Sequence, residues 1–324
     1  MKHTVAVLGE GAWGTAIATV LAHNGHKVNL WCNDPHVVET IRSSRVNQRY
    51  MPYIELSPLI FPTASIEEAL KDVTIVFEVS PVKYMRSVLT KAKSFAQPTH
   101  CWVSLSKGIE NKTLMLPTQI IEDVIGASVK QAVCLGPSFA DEVVRQKFTS
   151  ILLATKNSEL SILLKQLLES DYFKVYESSD IIGPQVGAAL KNVIALGVGI
   201  LEGAGYGENA KAYVLTKALQ DMVSCVQALG GQKETVYGLS GLGDLVLTCM
   251  GGLSRNVMVG RYFGQGQSLE KVIEETGTTP EGVNTVQSIF ELAQKYNIIL
   301  PVCQGIYDMV FQDKSVSQFL HDLS

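Results

Sequence analysis

Short apolar runs alternate with helix-like stretches through the first 180 residues of the chain. The candidate strands are rich in β-branched residues and read TVAVLG, KVNLWC, LIFPT, TIVFEV, CWVSLS, AVCLG, SILLAT and FKVYES. Strands that alternate with helices form largely parallel sheets whose two faces are covered by those helices. The pattern therefore predicts an α/β domain with a mostly parallel sheet in the N-terminal half.

The pattern changes after Tyr176, where strand-like runs nearly vanish. Residues 180–324 show long stretches of helical periodicity that are interrupted by glycines. We therefore expect a C-terminal all-α domain, and we place the two domains at residues 1–182 and 183–324. The length of 324 residues agrees with two domains, because a single domain usually contains roughly 100 to 200 residues.

Composition and charge narrow the class of protein. The chain carries 27 Lys and Arg against 31 Asp and Glu, a formal charge of −4, which gives no support to binding of nucleic acid or of an acidic membrane surface. The six cysteines form no CxxC pair and no metal-ligand spacing, so we expect reduced core residues and no bound metal. Residues 1–9 lack a signal-peptide pattern, and the uninterrupted apolar runs are shorter than the roughly 20 residues of a membrane helix. We expect a cytoplasmic protein without an integral membrane segment.

A glycine-rich turn follows the first candidate strand. Gly9, Gly11 and Gly14 have GxGxxG spacing, and an apolar-periodic helix follows them. In this arrangement the glycines allow a tight turn, close approach of the backbone to a pyrophosphate and close packing of helix on strand, and the helix N-terminus binds the phosphates. The context predicts a Rossmann-type dinucleotide-binding domain.

The end of the second candidate strand is where such domains normally meet the adenosine ribose. Asp34 favours NAD if its carboxylate faces the ribose 2′-hydroxyl. An Asp before Pro35 is also an ordinary helix cap. The residues leave both interpretations open, and with them the choice between NAD and NADP.

Lys191 is the leading candidate for a general acid and base. It lies beside Asn192 within the otherwise apolar segment VGAALKNVIALGVGI, and burial lowers the pKa of a lysine toward the range in which it exchanges protons. No histidine occurs between residues 101 and 320, so we do not expect a histidine base. The alternative is a structural lysine whose ammonium extends to water from the end of the helix.

Three further polar motifs suit an anionic ligand. In the SRN motif, Ser254 can cap a helix, Arg255 can grip a phosphate in a bidentate manner and Asn256 can donate from its amide. The SKG and GPSFA motifs follow candidate strands, and the carboxyl ends of strands are where open α/β sheets bind ligands, so Lys107 and Ser138 can face one crevice. Each motif also has a plain alternative, namely a capped helix with a solvated arginine or a loop residue that faces water.

These motifs occur together in a known family. The chain resembles the bacterial NAD(P)-dependent glycerol-3-phosphate dehydrogenases from end to end, with these segments in the family's order and approximate spacing: GEGAWGTAIA, NQRYMP, SLSKGIE, CLGPSFADEV, GAALKNVIALGVGI, SGLGDLVLTC, GGLSRN and TPEGVNT. The resemblance implies a Rossmann-type domain joined to a helical substrate domain, NAD or NADP as cofactor, and commonly a homodimer. It also implies reversible hydride transfer between sn-glycerol 3-phosphate and dihydroxyacetone phosphate, mainly reduction of the ketone to supply phospholipid synthesis.

The resemblance also implies roles for individual residues, with Lys191 as the proton donor and acceptor. The implied substrate contacts are Lys107, Gly136, Ser138, Lys191, Asn192, Asp244, Thr248, Ser254, Arg255 and Asn256. The implied cofactor contacts are Gly9, Gly11, Ala12, Trp13, Gly14, Asn33, Lys107, Ala140, Arg255, Thr279 and Glu281. Asn33 departs from the many relatives that carry Arg or His there as a partner for a 2′-phosphate, so the cofactor stays undecided.

Two alternative functions are compatible with the same plan. Lysine-using dehydrogenases of the 3-hydroxyisobutyrate or ketopantoate type act on carboxylates, so a requirement for a phosphate ester separates them from this interpretation. A non-catalytic dinucleotide sensor would keep the fold but would have no need for Lys191 or the SRN motif. Such a sensor would bind cofactor without turnover of a phosphorylated ketone.

Overall fold

The computed structural model describes residues 2–252, 254–276 and 281–324. The chain divides into two compact units. The first unit comprises Met1–Lys107 and Pro117–Ile181, and the second comprises Gly108–Leu116 and Ile182–Ser324.

The first unit is built on an eight-stranded sheet, as far as the described residues show. The strands are β1 (Thr4–Leu8), β2 (Lys27–Trp31), β3 (Val46–Asn47), β4 (Met51–Glu55), β5 (Ile60–Thr63), β6 (Ile75–Glu78), β7 (Cys101–Ser104), β8 (Lys130–Leu135), β9 (Thr149–Ala154) and β10 (Phe173–Ser178). Their order in the sheet is β10-β9-β8-β7-β6-β1-β2-β5. Neighbouring strands pair in parallel except β8 and β9, which are antiparallel. All eight predicted strands and the mostly parallel sheet are confirmed.

Helices cover the sheet of the first unit. They are α1 (Ala12–His23), α2 (Pro35–Ser44), α3 (Ile66–Leu70), α4 (Val82–Lys93), α5 (Pro117–Val124), α6 (Ala140–Val144) and α7 (Ser158–Leu168). The central strand β1 is a continuous apolar run, and its residues from Val5 to Leu8 have no exposed surface. Burial on both faces explains why β1 lacks the apolar and polar alternation of a one-sided sheet.

The short hairpin β3–β4 was not predicted. Its first strand contains only Val46 and Asn47, and its register shifts between them. A strand of two residues is too short to produce a period in the sequence. The buried Asn47 side chain instead donates hydrogen bonds to the Glu10 carbonyl and to the Thr15 hydroxyl, so this hairpin is attached to the glycine-rich turn.

The described part of the second unit is helical, which confirms the predicted all-α domain. Its helices are α8 (Gly183–Gly203), α9 (Glu208–Ala228), α10 (Lys233–Val236), α11 (Asp244–Met250), α12 (Arg255–Gly264), α13 (Leu269–Thr276), α14 (Glu281–Tyr296), α15 (Pro301–Phe311) and α16 (Val316–Asp322). A π-helical turn at Leu239–Gly243 directly precedes α11.

Helix α8 is the core of the second unit. Every residue from Gly183 to Leu201 is buried. By length and composition the helix could cross a membrane, since its mean hydropathy is 1.4, but 89% of that window is buried inside the protein. The apolar sequence of α8 is therefore explained by packing against the other helices.

Glycines allow α8 and α12 to pack backbone against backbone. A Cβ atom on Gly199 would lie 2.1 Å from the Val257 carbonyl oxygen, and one on Gly260 would lie 2.1 Å from the Leu196 carbonyl oxygen. Such a close approach excludes any side chain at these positions. The glycines in both helices therefore determine how closely α12 packs against α8.

The segment Gly108–Leu116 belongs to the second unit although it lies within the N-terminal half of the sequence. Ile109 and Leu116 are buried in the apolar core of the second unit, and the Ser288 hydroxyl donates a 2.5 Å hydrogen bond to the Asn111 side chain. A single boundary after residue 182 does not describe this segment. The apolar positions that anchor it are too few to produce a pattern of their own.

We expect Gly260→Ala to destabilise the second unit by roughly 2 kcal/mol or more, because its Cβ would overlap the α8 backbone. Urea unfolding of the full chain measures this change. Gly207→Ala is the matched control, because nothing lies within 4 Å of its Cβ, and we expect an effect within about 1 kcal/mol. Equal effects of the two substitutions would contradict the packing argument.

Candidate active site

The glycine-rich turn has the geometry that a dinucleotide needs. Gly9 has φ 133°, a left-handed conformation that favours glycine. A Cβ on Gly14 would lie 1.9 Å from the Gly9 carbonyl oxygen, so α1 packs directly against the end of β1. By contrast, nothing lies within 4 Å of a Cβ on Gly11. Gly9 and Gly14 therefore pack closely within the turn, whereas there is space beside Gly11, as close approach of a pyrophosphate requires.

The N-terminus of α1 adds backbone donors beside Gly11. Its first turn contains no acidic residue, and Gly11 as N-cap has no side chain that could satisfy the N–H groups. Such a helix terminus attracts an anion. Ala12 and Trp13 are the first two residues of α1. The buried Trp13 indole N–H has no hydrogen-bond partner among the described residues. These features fit the phosphates of NAD or NADP.

The end of β2 gives a structural role to Asp34. Its carboxylate accepts from the His36 backbone N–H at 2.9 Å, which caps α2, and it pairs with Arg49 at 2.7 Å. Asn33 is exposed, and its backbone N–H donates to the Glu10 carboxylate at 3.1 Å. Glu10 was not singled out from the sequence, because its position within GxGxxG is one that the motif leaves free.

Lys107, Gly136 and Ser138 come together beyond the carboxyl ends of β7 and β8. The Gly136 carbonyl oxygen accepts from the Lys107 ammonium at 3.4 Å and from the Ser138 hydroxyl at 3.0 Å. Gly136 has φ 158°, and a Cβ there would lie 3.1 Å from the Ile151 Cα. Ala140 begins α6 four residues later. These four predicted site residues therefore share one edge of the sheet.

A buried carboxyl group supports the same edge. Glu78 ends β6, has no exposed surface and accepts from the Ser80 backbone N–H and hydroxyl. The Ser106 hydroxyl lies 2.5 Å from the Ser80 carbonyl oxygen and 2.7 Å from Glu78 Oε2. One hydroxyl proton cannot serve both acceptors, so a protonated Glu78 that donates to Ser106 satisfies every group. Burial raises the pKa of Glu78 to about 7, although the hydrogen bonds from Ser80 and Ser106 lower it.

Glu78 was missed at the sequence level. The available signal was a carboxylate at the end of the apolar run TIVFEV; in the sheet Glu78 lies opposite Ser104, two residues before the SKG motif. An acidic side chain in a central parallel strand is rare unless it is paired, so it marks a site that needs a structural or functional reason. Here the carboxyl group joins the segments that follow β6 and β7.

Lys191 lies at the centre of the second unit and is bound to two residues of α11. Its ammonium contacts Asp244 Oδ1 at 2.5 Å and Thr248 Oγ1 at 3.0 Å. The exposed fractions of the Lys191 and Asp244 side chains are 7% and 1%. The Thr248 hydroxyl donates to the Asp244 carbonyl oxygen at 2.6 Å, which leaves its lone pairs for the ammonium. Lys191 is therefore held inside the unit and does not extend to bulk water.

The local backbone around Asp244 is specialised. The π-helical turn Leu239–Gly243 precedes it, and a Cβ on Gly187 of α8 would lie 2.7 Å from the Ser240 carbonyl oxygen. Short π-helical segments frequently occur at functional sites. Close contact at Gly187 brings the start of α11 against α8, and this is what places the carboxylate of Asp244 beside Lys191.

The SRN motif begins α12. Ser254 caps the helix by accepting from the Val257 backbone N–H at 3.3 Å, as predicted. Arg255 is exposed and forms no ion pair with a carboxylate in the described ranges. Asn256 Oδ1 accepts from the Gly282 backbone N–H at 3.0 Å, so its amide oxygen links the starts of α12 and α14. The amide nitrogen of Asn256 can still act as the donor expected from the sequence.

Two more of the predicted residues lie in described parts of the second unit. Asn192 follows Lys191 in α8, and 6% of its surface is exposed. Glu281 is the first residue of α14. Thr279 lies outside the described residues.

We expect the stability of the chain to depend on the protonation of Glu78. Its pKa is raised from 4.5 to about 7 by folding, so the folded state holds a proton that the unfolded state releases, and stability falls as the pH rises through 7. The loss between about pH 5 and pH 8 is roughly 2 to 3 kcal/mol. Glu78→Gln removes this loss, because an amide stays neutral and can donate to Ser106.

Urea unfolding of Glu78→Gln and of the parent chain at several pH values measures the difference. The stability of the variant relative to the parent should increase steadily from about pH 5 to pH 8. Glu159→Gln, on the exposed face of α7, is the control and should show no such trend. A variant that is destabilised equally at the low and the high end of this pH range would contradict a protonated Glu78.

Comparison with known proteins identifies the family. The model described as NAD-dependent glycerol-3-phosphate dehydrogenase N-terminus matches residues 4–161, and the corresponding C-terminus model matches residues 180–321. A glycerol-3-phosphate dehydrogenase (NAD(P)+) of Enterococcus faecalis is 39% identical over 320 residues, which cover 98% of this chain and 94% of the relative. One of Bacillus mycoides is 40% identical over 321 residues with the same coverage.

Solved structures agree with this assignment. The glycerol-3-phosphate dehydrogenase of Coxiella burnetii has a TM-score of 0.94 and 33% identity, covering 99% of this chain and 98% of that one. A ketopantoate reductase of Ralstonia eutropha reaches a TM-score of 0.63 at 14% identity, which is a likeness of fold alone. The fold, the polar residues around Lys191 and the matches over nearly the whole sequence lead to one conclusion: the chain belongs to the NAD-dependent glycerol-3-phosphate dehydrogenase family, whose members are NAD(P)-dependent oxidoreductases.

Proposed function

We propose that the protein catalyses reversible hydride transfer between sn-glycerol 3-phosphate and dihydroxyacetone phosphate, with Lys191 as proton donor and acceptor. The observation that carries the proposal is the ammonium of Lys191, buried in an apolar helix and hydrogen-bonded to Asp244 and Thr248. A lysine kept out of water at this cost needs a chemical reason. Protonation of an alcohol oxygen supplies one.

The reaction moves a hydride and a proton together. When bound, the nicotinamide supplies the hydride to C2 of the ketone, or accepts it from C2 of the alcohol. In the reducing direction Lys191 gives its proton to the C2 oxygen as the carbonyl becomes an alcohol. In the oxidising direction the neutral amine takes that proton back. Protonation of the oxygen as it gains charge lowers the barrier to the transfer.

Asp244 and Thr248 position the amine for this exchange. The carboxylate of Asp244 compensates the charge of the buried ammonium, and the Thr248 oxygen accepts a second N–H. These two fixed acceptors hold the ammonium in one orientation, which faces the substrate in this proposal. Asn192, the next residue of α8, orients the reacting oxygen.

The phosphate and the glycerol chain are assigned to polar groups of each unit. In the second unit these are the SRN motif, with Ser254, Arg255 and Asn256, together with Asp244 and Thr248. Arg255 suits the phosphate best, because its guanidinium is exposed at the start of α12 and can form two parallel hydrogen bonds. In the first unit the assigned substrate contacts are Lys107, Gly136 and Ser138.

The cofactor is assigned to the first unit, which we propose as the dinucleotide-binding domain, with the second as the substrate domain. The open turn at Gly11 and the uncapped start of α1 support this. The proposed cofactor contacts are Gly9, Gly11, Ala12, Trp13, Gly14, Asn33, Lys107, Ala140, Arg255, Thr279 and Glu281. We also propose a cytoplasmic homodimer that mainly reduces the ketone and so supplies phospholipid synthesis.

Initial-rate assays with dihydroxyacetone phosphate test the substrate and the cofactor together. We expect oxidation of NADH or NADPH with dihydroxyacetone phosphate and none with ketopantoate, since only the former carries a phosphate for Arg255. Turnover of ketopantoate alone would favour the carboxylate-reducing alternative. Cofactor binding without turnover of either compound would favour a sensor.

Replacement of Lys191 should remove acid–base catalysis and leave cofactor binding intact. We expect Lys191→Ala to lower kcat by about 100-fold or more at an unchanged dissociation constant for the cofactor. Alanine also leaves Asp244 buried without its ammonium, which is destabilising. The Lys191→Ala/Asp244→Asn double variant removes that charge and should recover stability without activity. A normal kcat in the folded double variant would reject the role of Lys191.

Replacement of Arg255 should act on substrate binding. We expect Arg255→Ala to raise KM for dihydroxyacetone phosphate by about tenfold or more, because a charge-assisted contact with the phosphate is lost. Arg255 is exposed, so the free energy of unfolding should stay near that of the parent. Lys271→Ala, which removes one exposed positive charge from α13, is the control. The dissociation constant of the cofactor is measured separately, since Arg255 is also assigned to it, and an unchanged KM would exclude the phosphate contact.

A further inference from the structure

Glu10 occupies an unusual position in the glycine-rich turn. It lies between Gly9 and Gly11, yet its side chain reaches the end of β2, where Oε2 accepts from the Asn33 backbone N–H at 3.1 Å. The exposed fraction of Glu10 is 9%. A carboxylate is thereby fixed at the junction between the turn that would bind the pyrophosphate and the strand end that would meet the adenosine ribose.

The backbone of Glu10 is held as firmly as its side chain. Its carbonyl oxygen accepts from the Thr15 hydroxyl at 3.1 Å and from the Asn47 amide at 2.8 Å. Asn47 and Thr15 are fully buried and are hydrogen-bonded to each other at 2.8 Å. These contacts hold the backbone of Glu10, and the hydrogen bond from the Asn33 N–H holds its carboxylate at the strand end.

The strand end carries two carboxylates and two guanidinium groups. Asp34 adds a second carboxylate, and Arg49 is paired with it at 2.7 Å, while Arg42 donates to the Pro62 carbonyl oxygen. The charges also act on nearby groups. Burial, together with the carboxylates of Glu10 and Asp34, raises the pKa of Cys32 to about 12, against the effect of Arg42.

We infer that Glu10 makes the protein select NADH over NADPH. The inference rests on the proposed function, because it concerns the cofactor of that reaction. In a Rossmann-type domain the ribose 2′ position lies at the end of β2, where an acidic residue favours a hydroxyl and an arginine favours a phosphate. Here the 2′-phosphate of NADPH would meet the fixed carboxylate of Glu10, and Asn33 offers only a neutral side chain. A 2′-hydroxyl carries no charge and can donate a hydrogen bond to a carboxylate.

Measured affinities for the two dinucleotides test this selection without turnover. Titrations of the full chain with NADH and with NADPH, followed by the fluorescence of the reduced nicotinamide, give both dissociation constants. We expect NADH to bind about tenfold or more tightly than NADPH, because repulsion between a carboxylate and a nearby phosphate is of this order. The difference should shrink as salt is added, since the strand end is partly exposed.

Glu10→Gln separates the charge of Glu10 from its structural role. Glutamine keeps an oxygen that accepts from Asn33, so the turn stays attached to β2, but the negative charge is lost. We expect the ratio of the dissociation constant for NADPH to that for NADH to fall by about tenfold, mainly because NADPH binds more tightly. A purely structural role would change both affinities by the same factor and leave their ratio unaltered. Glu159→Gln, exposed on α7, alters the net charge equally and should leave the ratio as it is.

The outcomes distinguish this inference from the function on which it rests. Equal affinities, a preference for NADPH, or an unchanged ratio in Glu10→Gln would overturn the selection by Glu10 and leave the proposed reaction intact. Failure to bind either dinucleotide would overturn the proposed function, and this inference with it.

Discussion

The ion pair between Lys191 and Asp244 is the constraint on which the second unit depends. Transfer of two charges from water into an apolar core is costly, and the cost is offset only when the partners meet with good geometry. Here Asp244 must reach an ammonium in the middle of a helix whose residues are buried from Gly183 to Leu201. Glycine at position 187 and the π-helical turn before α11 provide the necessary close approach. The close packing against α8 is therefore what allows the buried ion pair of Lys191 to form.

The first unit meets a comparable problem in a different way. Glu78 has no ammonium beside it among the described residues, and its partners are the Ser80 backbone N–H and the hydroxyl groups of Ser80 and Ser106. Such partners can satisfy a neutral carboxyl group completely. The buried acid and the buried base are thus accommodated differently: the pKa of Glu78 is raised to about 7, and Lys191 is paired with Asp244. Below pH 7 the carboxyl group of Glu78 is mostly neutral and joins the segments after β6 and β7 without adding a full negative charge there.

Much of this arrangement could be predicted from the sequence. All eight strands of the sheet had enough consecutive apolar residues to be recognised, and Lys191 stood out because it interrupts such a run. Its bond to Asp244 spans 53 positions, and no local pattern reports a contact of that separation. The same limit applies to Glu10, whose role comes from reaching across to Asn33. Motif spacing records which residues a turn requires, and it is silent about the direction of the side chains between them.

In this chain the fold and the function depend on different residues, and the function depends on a few polar side chains. The ketopantoate reductase with a TM-score of 0.63 has the same arrangement of elements at 14% identity, so the backbone alone does not select a substrate. In the proposed function and in the inference on Glu10, charged side chains of the two units make these selections. In the proposed function the Lys191 ammonium exchanges a proton with the substrate oxygen, whereas the Glu10 carboxylate acts only through its charge. The second kind of determinant can change without disturbing catalysis, since Asn33 and Glu10 contact each other and lie in a different unit from Lys191. With these assignments, cofactor choice can change in this chain without a change at Lys191.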